Sequence, residues 1–203
     1  MQTEVLNNFI VLEGLDGSGT TTQLKKIEEK LSEMGKTVFS TCEPTKNEIG
    51  KLIRSVLQKK IVMDPVTVSR LFVADRNEHI YGINGIKERT KRGEIVVSDR
   101  YLFSSLAYQS PQCGFDFVKI INSDFPLPEY LFFISTPVKE CQERIHKRGD
   151  EKELFDDADY QQKVDDNYRK AIELYKNSGV KIFIIDGLKS IENITNEIID
   201  IIR

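Results

Sequence analysis

Long apolar runs are missing from this sequence: no stretch approaches the roughly 20 residues needed to cross a bilayer. Residues 1–8 have neither a basic region nor an apolar run, so they do not read as a secretory signal, and a cytoplasmic location is expected. Cysteine is scarce. Cys42, Cys113 and Cys141 are odd in number, widely spaced and free of any CxxC pair, which reads as three reduced thiols rather than a disulfide framework. An excess of positive charge is missing too. At a net charge of −3, composition gives no reason to expect broad nucleic-acid binding, and a small anionic substrate must be held by a local cluster of cations. Internal repeats and low-complexity linkers are absent, as is any Ser/His/Asp arrangement. The histidines, His79 and His146, have no neighbours that support them as metal ligands. What remains is an ordinary globular composition, 39% hydrophobic and 30% charged, over 203 residues. That length suits one domain with a core large enough to need no disulfides.

The chain alternates strand and helix. Residues 9–12 form an apolar run that leads into a glycine-rich turn. The pattern predicts a helix over 20–34, with Gly35 as its terminator. A second strand is expected over 37–40, and helices over 47–58 and from Asp64 onward. Asp64 is placed to cap that helix, and Pro65 stands where a first turn tolerates proline. Residues 95–97 are β-branched throughout, as suits a strand buried on both faces. A turn is expected at Pro126-Leu127-Pro128, then a strand over 130–134, a helix over 138–148 and a polar loop over 149–156. The helix expected over 159–177 carries Val164, Tyr168, Ala171 and Leu174 or Tyr175 along one side. A strand over 181–185 and a helix over 191–202 close the chain. Short buried strands separated by helices imply an α/β fold, a five-stranded parallel sheet with helices on both faces. Ligands on such sheets bind beyond the carboxyl ends of the strands.

After the first strand comes Gly14-Leu15-Asp16-Gly17-Ser18-Gly19-Thr20-Thr21-Thr22. This has the form of a P-loop, G-x-x-x-x-G-K-[ST], with Thr20 where the lysine belongs. The other parts are present. The glycines let the backbone wrap with its N–H groups inward, and the following helix aims its positive end at a phosphate. Thr21 holds the position whose hydroxyl binds Mg²⁺. A tight strand-to-helix turn without a ligand is the plainer reading, and placement between an apolar strand and a helix weighs against it. Lys25 cannot replace the lysine from its own helix, because it lies roughly 140° around the axis from Thr20. Without a replacement, one lost charge costs on the order of 10² to 10³ in rate.

Four further segments narrow the function. They are Leu71-Phe72-Val73-Ala74-Asp75-Arg76 with His79-Ile80; Ser98-Asp99-Arg100-Tyr101 with Ser104-Ser105-Leu106-Ala107-Tyr108-Gln109; Thr41-Cys42-Glu43-Pro44 with Ile49-Gly50 and Ile53-Arg54; and residues 144–156. In order, spacing and content these resemble the thymidylate kinases, from about Phe9 to Tyr168. The resemblance implies a P-loop nucleoside-monophosphate kinase that moves a phosphoryl group from ATP to dTMP, with Mg²⁺ and as a homodimer.

Residue by residue, the resemblance implies that Phe72 stacks on the thymine ring; by itself it reads as a core residue on an apolar helix face. Arg76 would donate to the base carbonyl; the plainer reading is a helix ion pair with Asp75 or Glu78. Arg100 would grip the dTMP phosphate through its two-pronged guanidinium. Asp99 would sit near Mg²⁺ or the acceptor phosphate. Ser104 and Ser105 would face the base edge, Tyr108 would wall off the sugar's 2′ face, and Gln109 is a candidate for the pocket rim. Asp16 would accept from the sugar 3′-hydroxyl. Residues 144–156 resemble a lid that closes over ATP, with Arg148 and then Arg144 as candidates to stabilise the transition state. Lys147 or Lys152 is a candidate replacement for the missing lysine. Many relatives read Thr-Arg-Glu-Pro-Gly-Gly, whereas Cys42 replaces that arginine and Thr45-Lys46 the glycines. Lys46 is then a candidate phosphate contact, and Glu43 a residue that orients metal or phosphate ligands.

The implied chemistry is direct in-line transfer resting on positioning and electrostatics. Two rivals stand beside it. A kinase for another nucleoside monophosphate or a deoxynucleoside is one; the deoxynucleoside case needs a carboxylate base, for which Glu43 is placed. A degenerate kinase that binds nucleotide without turnover is the other.

Overall fold

The computed structural model describes residues 4–148 and 157–203, with the side chain of Arg148 outside that description. Five strands, β1 (Val5–Gly14), β2 (Val38–Cys42), β3 (Ile95–Asp99), β4 (Leu127–Ser135) and β5 (Lys181–Asp186), form one sheet in the order β2-β3-β1-β4-β5. All four pairings are parallel, so every strand ends at the same edge. The helices are α1 (Thr20–Glu33), α2 (Glu48–Leu57), α3 (Pro65–Tyr81), α4 (Ile86–Lys91), α5 (Leu102–Tyr108), α6 (Ser110–Cys113), α7 (Phe115–Ile121), α8 (Val138–Arg148), α9 (Ala158–Tyr175) and α10 (Ile191–Ile202).

The period of two in the strands decides which helices cover which face. On β1, Phe9 and Val11 point into a core shared with Val96, Leu131, Phe133, α5 and α9. The alternate residues Ile10 and Leu12 point the other way, onto Val97, Phe132, α1 and α10. Both faces are therefore dry, and the apolar runs of these strands need no polar alternation. No described helix is long and apolar enough to cross a membrane.

The predicted elements are present with three differences. β1 begins at Val5, not at residue 9, because Asn7 and Asn8 interrupt its apolar pattern without ending it. Asn8 takes a left-handed φ of 61°, which asparagine tolerates, and the register against β4 shifts there. The expected turn at 126–128 is partly strand: Leu127 and Pro128 open β4 and pair with Val5 and Leu6. Proline is allowed there because a strand's first residues need not donate. Finally, α4, α6 and α7 are too short to leave a helical period in the sequence. The cap on α3 is as predicted: Asp64 accepts from the N–H groups of Val66 and Thr67 at 2.9 and 3.2 Å, with Pro65 in the first turn.

Candidate active site

The carboxyl edge of the sheet holds two clefts. The first, of about 920 Å³, is floored by the glycine loop between β1 and α1. Its curvature requires glycine at Gly17 and Gly19, whose φ values are 88° and 104°. At Gly17 packing forbids a side chain as well, since a Cβ would lie 2.5 Å from the Cys141 carbonyl oxygen. Gly19 ends the loop as the N-cap of α1, leaving the first-turn N–H groups without a side-chain cap. Asp16, Gly17, Ser18, Gly19, Thr20, Thr21 and Thr22 all line this cleft, whereas Leu15 is in the core and Gly14 lies behind the wall.

Cations from other segments line the cleft in which Thr20 stands. Lys60, Arg100, Arg144, Lys147 and Lys189 line the same cleft. Of these, Lys147 was expected; Lys60 and Lys189 come from the α2–α3 and β5–α10 connections, and only the strand order brings them here. Lys189 is paired with Glu197 at 2.8 Å. Arg144 bridges the two rims, donating to the carbonyls of Ser18 at 3.4 Å and Gly187 at 3.1 Å and pairing with Glu140 at 2.8 Å. Lys25 lines the second cleft rather than the first. The Arg148 side chain, Lys152 and the rest of the expected lid lie outside the described residues.

The second cleft, of about 850 Å³, lies between the ends of β2 and β3 and the helices α2 and α3. Its wall contains Cys42, Glu43, Lys46, Arg54, Phe72, Arg76, Asp99, Arg100, Ser104, Tyr108 and Gln109. Phe72 serves cavity and core together: it packs on Ile53, Val56 and Val68 while it lines the cleft. Arg76 pairs with neither Asp75 nor Glu78. It is 1% exposed, and its Nε and Nη2 donate to Glu43 Oε2 at 2.9 and 2.7 Å. Asn122 and Ser105 accept from the same guanidinium. Ser105 thus stands behind Arg76 and is not in the wall. Asp75 instead accepts from Thr45, N–H and hydroxyl both, at 2.7 and 2.5 Å. Glu43 has its other oxygen 3.0 Å from His79 Nδ1, so both oxygens are engaged. Where many relatives carry an arginine, Cys42 has the Arg54 guanidinium 3.5 Å from its sulfur. Burial pushes the Cys42 thiol up, so it stays protonated.

Asp16, Thr21 and Arg100 belong to both clefts. Thr21 Oγ1 donates to Asp99 Oδ2 at 2.5 Å. Asp99 Oδ1 is buried with no hydrogen-bond partner among the described residues. Arg100 does not pair with its neighbour Asp99. Its Nη2 donates to Asp16 Oδ1 at 2.6 Å, and its guanidinium carbon lies 5.0 Å from the centre of the Tyr108 ring. Burial opposes the Arg100 charge, but Tyr108, Asp16 and Tyr168 outweigh it and hold the guanidinium well above its ordinary range. The Tyr108 hydroxyl accepts from the Asp16 N–H at 3.0 Å.

Reading from sequence missed Glu13. It is fully buried, and burial raises its carboxyl from 4.5 to about 7, against the lowering effects of Arg100, Ser104, Tyr168 and the Tyr101 N–H. A signal was present: a carboxylate closing an otherwise apolar strand, one residue before the glycine loop. Asn122, Asp75 and His79 offered none, since their roles depend on partners more than 25 residues away.

Known proteins supply the family. The thymidylate kinase family model matches residues 12–198. A "Putative thymidylate kinase" of Treponema pallidum is 41% identical, covering 98% of this chain and 96% of its own. Proteins named "Probable thymidylate kinase" from Pyrococcus horikoshii and Methanocaldococcus jannaschii are 40% and 38% identical, each covering at least 95% of both chains. With a P-loop, a second cleft and the Phe-x-Ala-Asp-Arg and Asp-Arg-Tyr segments in place, the chain belongs to the thymidylate kinase family.

Proposed function

We propose that this protein transfers the γ-phosphoryl group of ATP to dTMP, with ATP in the first cleft and dTMP in the second. The observation that carries this reading is the junction. Among the described residues Asp16, Thr21 and Arg100 line both clefts, so two phosphate chains laid along them meet there.

Each residue then has a task that its surroundings support. The loop N–H groups from Asp16 to Thr22 cradle the ATP phosphates. Arg100 holds the dTMP phosphate, and Asp16, already its partner, accepts from the sugar 3′-hydroxyl. Phe72 presents an aromatic face to thymine. Arg76 donates to the base carbonyl from a seat fixed by Glu43, Asn122 and Ser105. Ser104 and Tyr108 form the wall beside the sugar and base, with Gln109 at the rim. Arg144 attends the donor nucleotide; Arg148, whose side chain lies outside the described residues, is assigned to the transferring group by the family resemblance alone. Lys60, Lys147 and Lys189 share the charge that Thr20 does not supply.

Mg²⁺ would be held beside Thr21 and Asp99 and would offset the negative charge of the phosphates. The residues present fit it. Thr21 Oγ1 and the orphaned Asp99 Oδ1 are hard oxygen donors at the junction. Among the described residues no group of three or more His, Cys, Asp or Glu is placed to hold a metal ion.

No strong base is needed, because a phosphate with a second pKa near 6 is already a dianion at neutral pH. The deoxynucleoside alternative does need one. Its candidate, Glu43, has both oxygens taken by Arg76 and His79, which disfavours it. We further propose a cytoplasmic homodimer paired through the helix that carries Phe72, which light scattering tests. Phosphorus NMR of enzyme with Mg²⁺-ATP and dTMP tests the transfer itself. ADP and dTDP appear together on this account; ADP with free phosphate and no dTDP contradicts it.

A further inference from the structure

Glu13 has no phosphate to bind, yet it is the most heavily used carboxylate at the junction. Its Oε1 accepts from the N–H groups of Tyr101 and Ser104 at 2.8 and 3.1 Å. Its Oε2 accepts from the hydroxyls of Ser104 and Tyr168 at 2.5 and 2.8 Å. Those same two hydroxyls accept from Arg100 Nη1 at 3.1 and 3.0 Å. The Arg100 backbone is itself strained. Its φ of 76° is in the left-handed region, costly for a side chain of this size. The turn is held at three points: Arg100 N–H donates to Leu12 O at 2.9 Å, Ser98 Oγ donates to Arg100 O at 2.8 Å, and the next N–H, of Tyr101, donates to Glu13.

We propose that Glu13 is a positioning residue for Arg100: its carboxylate pins the strained turn after β3 and, through the shared hydroxyls of Ser104 and Tyr168, aims the guanidinium across the junction. This rests on the reading of Arg100 as the dTMP phosphate ligand. Donors alone surround Glu13, which suits its ionised form. The charged and titratable groups that face it are Arg100 from the turn and Tyr168 from α9; Asp16 and Tyr108 face Arg100 from the far side. Protonation places one more hydrogen among converging donors, so one of them must turn away. The two N–H groups are fixed by the backbone, whereas the hydroxyls rotate, and the hydroxyls are what Arg100 leans on.

The test compares the wild type with Glu13→Gln between pH 6 and 9. Calorimetric Kd values for dTMP and for ATP are measured separately, then KM and kcat. The amide has the carboxylate's shape but brings its own donors. At pH 8.5 the variant is expected to bind dTMP about tenfold more weakly, the worth of a hydrogen bond to a charged group. Its affinity for ATP should stay within about twofold. The dTMP gap should narrow below about pH 7, where the wild-type carboxyl takes up its own proton. Titration of the dTMP phosphate is common to both proteins and cancels in their ratio. A ratio that is flat with pH, or equal losses for ATP and dTMP, overturns the proposal and leaves Glu13 a structural residue. If Glu13→Gln does not fold, Tyr168→Phe carries the test, since it keeps the ring and removes the shared hydroxyl. Weaker dTMP binding with ATP unchanged is expected, and unchanged dTMP binding overturns the proposal. A wild type that neither binds nor phosphorylates dTMP defeats the underlying reading, and this proposal with it.

Discussion

The two clefts are built from different materials. The first cleft, proposed for ATP, is floored by a glycine loop and a helix start and ringed by the exposed side chains of Lys60, Lys147 and Lys189. The acceptor cleft is mostly side chain, and its key groups are buried and bonded to one another: Arg76 to Glu43, Glu43 to His79, Asp75 to Thr45. A backbone cradle depends on glycine where its curvature requires it, at Gly17 and Gly19, but not on the side chain at Thr20, so it can lose its lysine and keep its shape. A side-chain cradle depends on each partner. Sequence change should therefore be tolerated unequally on the two sides.

The largest expected effect breaks the acceptor side. Glu43→Ala leaves the Arg76 guanidinium buried without its counter-charge, a loss of about 3–5 kcal/mol of stability. Urea unfolding measures it. Lys60→Ala or Lys147→Ala, on the exposed donor rim, should shift the same curve by less than about 0.5 kcal/mol. Equal effects would erase the distinction.

The next effect is in pH. Glu13 has a folded pKa of about 7 against 4.5 for the free group, so between those values the native state holds the extra proton. The stability this contributes is present below pH 4.5 and is lost as pH rises through about 7. The unfolding free energy of the wild type relative to Glu13→Gln should thus rise on acidification, by about 3 kcal/mol between pH 8 and 4.5. A rise in the opposite direction contradicts the burial argument.

Arg100→Lys comes third. Lysine keeps the charge but cannot hold Asp16 and a phosphate with one planar fork. The value of kcat/KM for dTMP should fall by about 10², with KM for ATP changed far less. Steady-state kinetics with each substrate varied in turn reads this.

The smallest effect is at the departure from the P-loop pattern. Thr20→Lys restores the missing charge, yet Lys60, Arg144, Lys147 and Lys189 already line the cleft. A gain in kcat below about tenfold is expected. A gain near 10³ would show that these cations do not reach the phosphates.

The same contrast explains what could be read from the sequence. The strands and the glycine loop are local patterns, and they stand where the pattern puts them: apolar run, turn, helix. Thr21 and Asp99 were each visible, though only the β1–β3 pairing sets them 2.5 Å apart. Arg76 is visible as a functional arginine, and the plainer reading pairs it on its own helix with Asp75 or Glu78. The partner is Glu43, brought in by the sheet order from 33 residues away. Ser104 and Ser105 look alike in sequence, yet the step of about 100° between neighbours on a helix sends the first into the wall and the second behind Arg76. Glu13 stands out locally, as a carboxylate closing an apolar run, but that pattern does not say what it holds. Its meaning lies in donors contributed by α5 and α9.

In the proposed reaction a nucleotide held over the glycine loop and dTMP held among buried side chains meet over Asp16, Thr21 and Arg100. The most direct measurement is ADP release with Mg²⁺-ATP across dTMP, dUMP, dCMP, dGMP, UMP and thymidine. Turnover led by dTMP is expected, with thymidine inert because Glu43, the candidate base for its hydroxyl, has both oxygens engaged by Arg76 and His79. Turnover of thymidine in preference to dTMP, or none at all from folded protein that still binds dTMP, would contradict it.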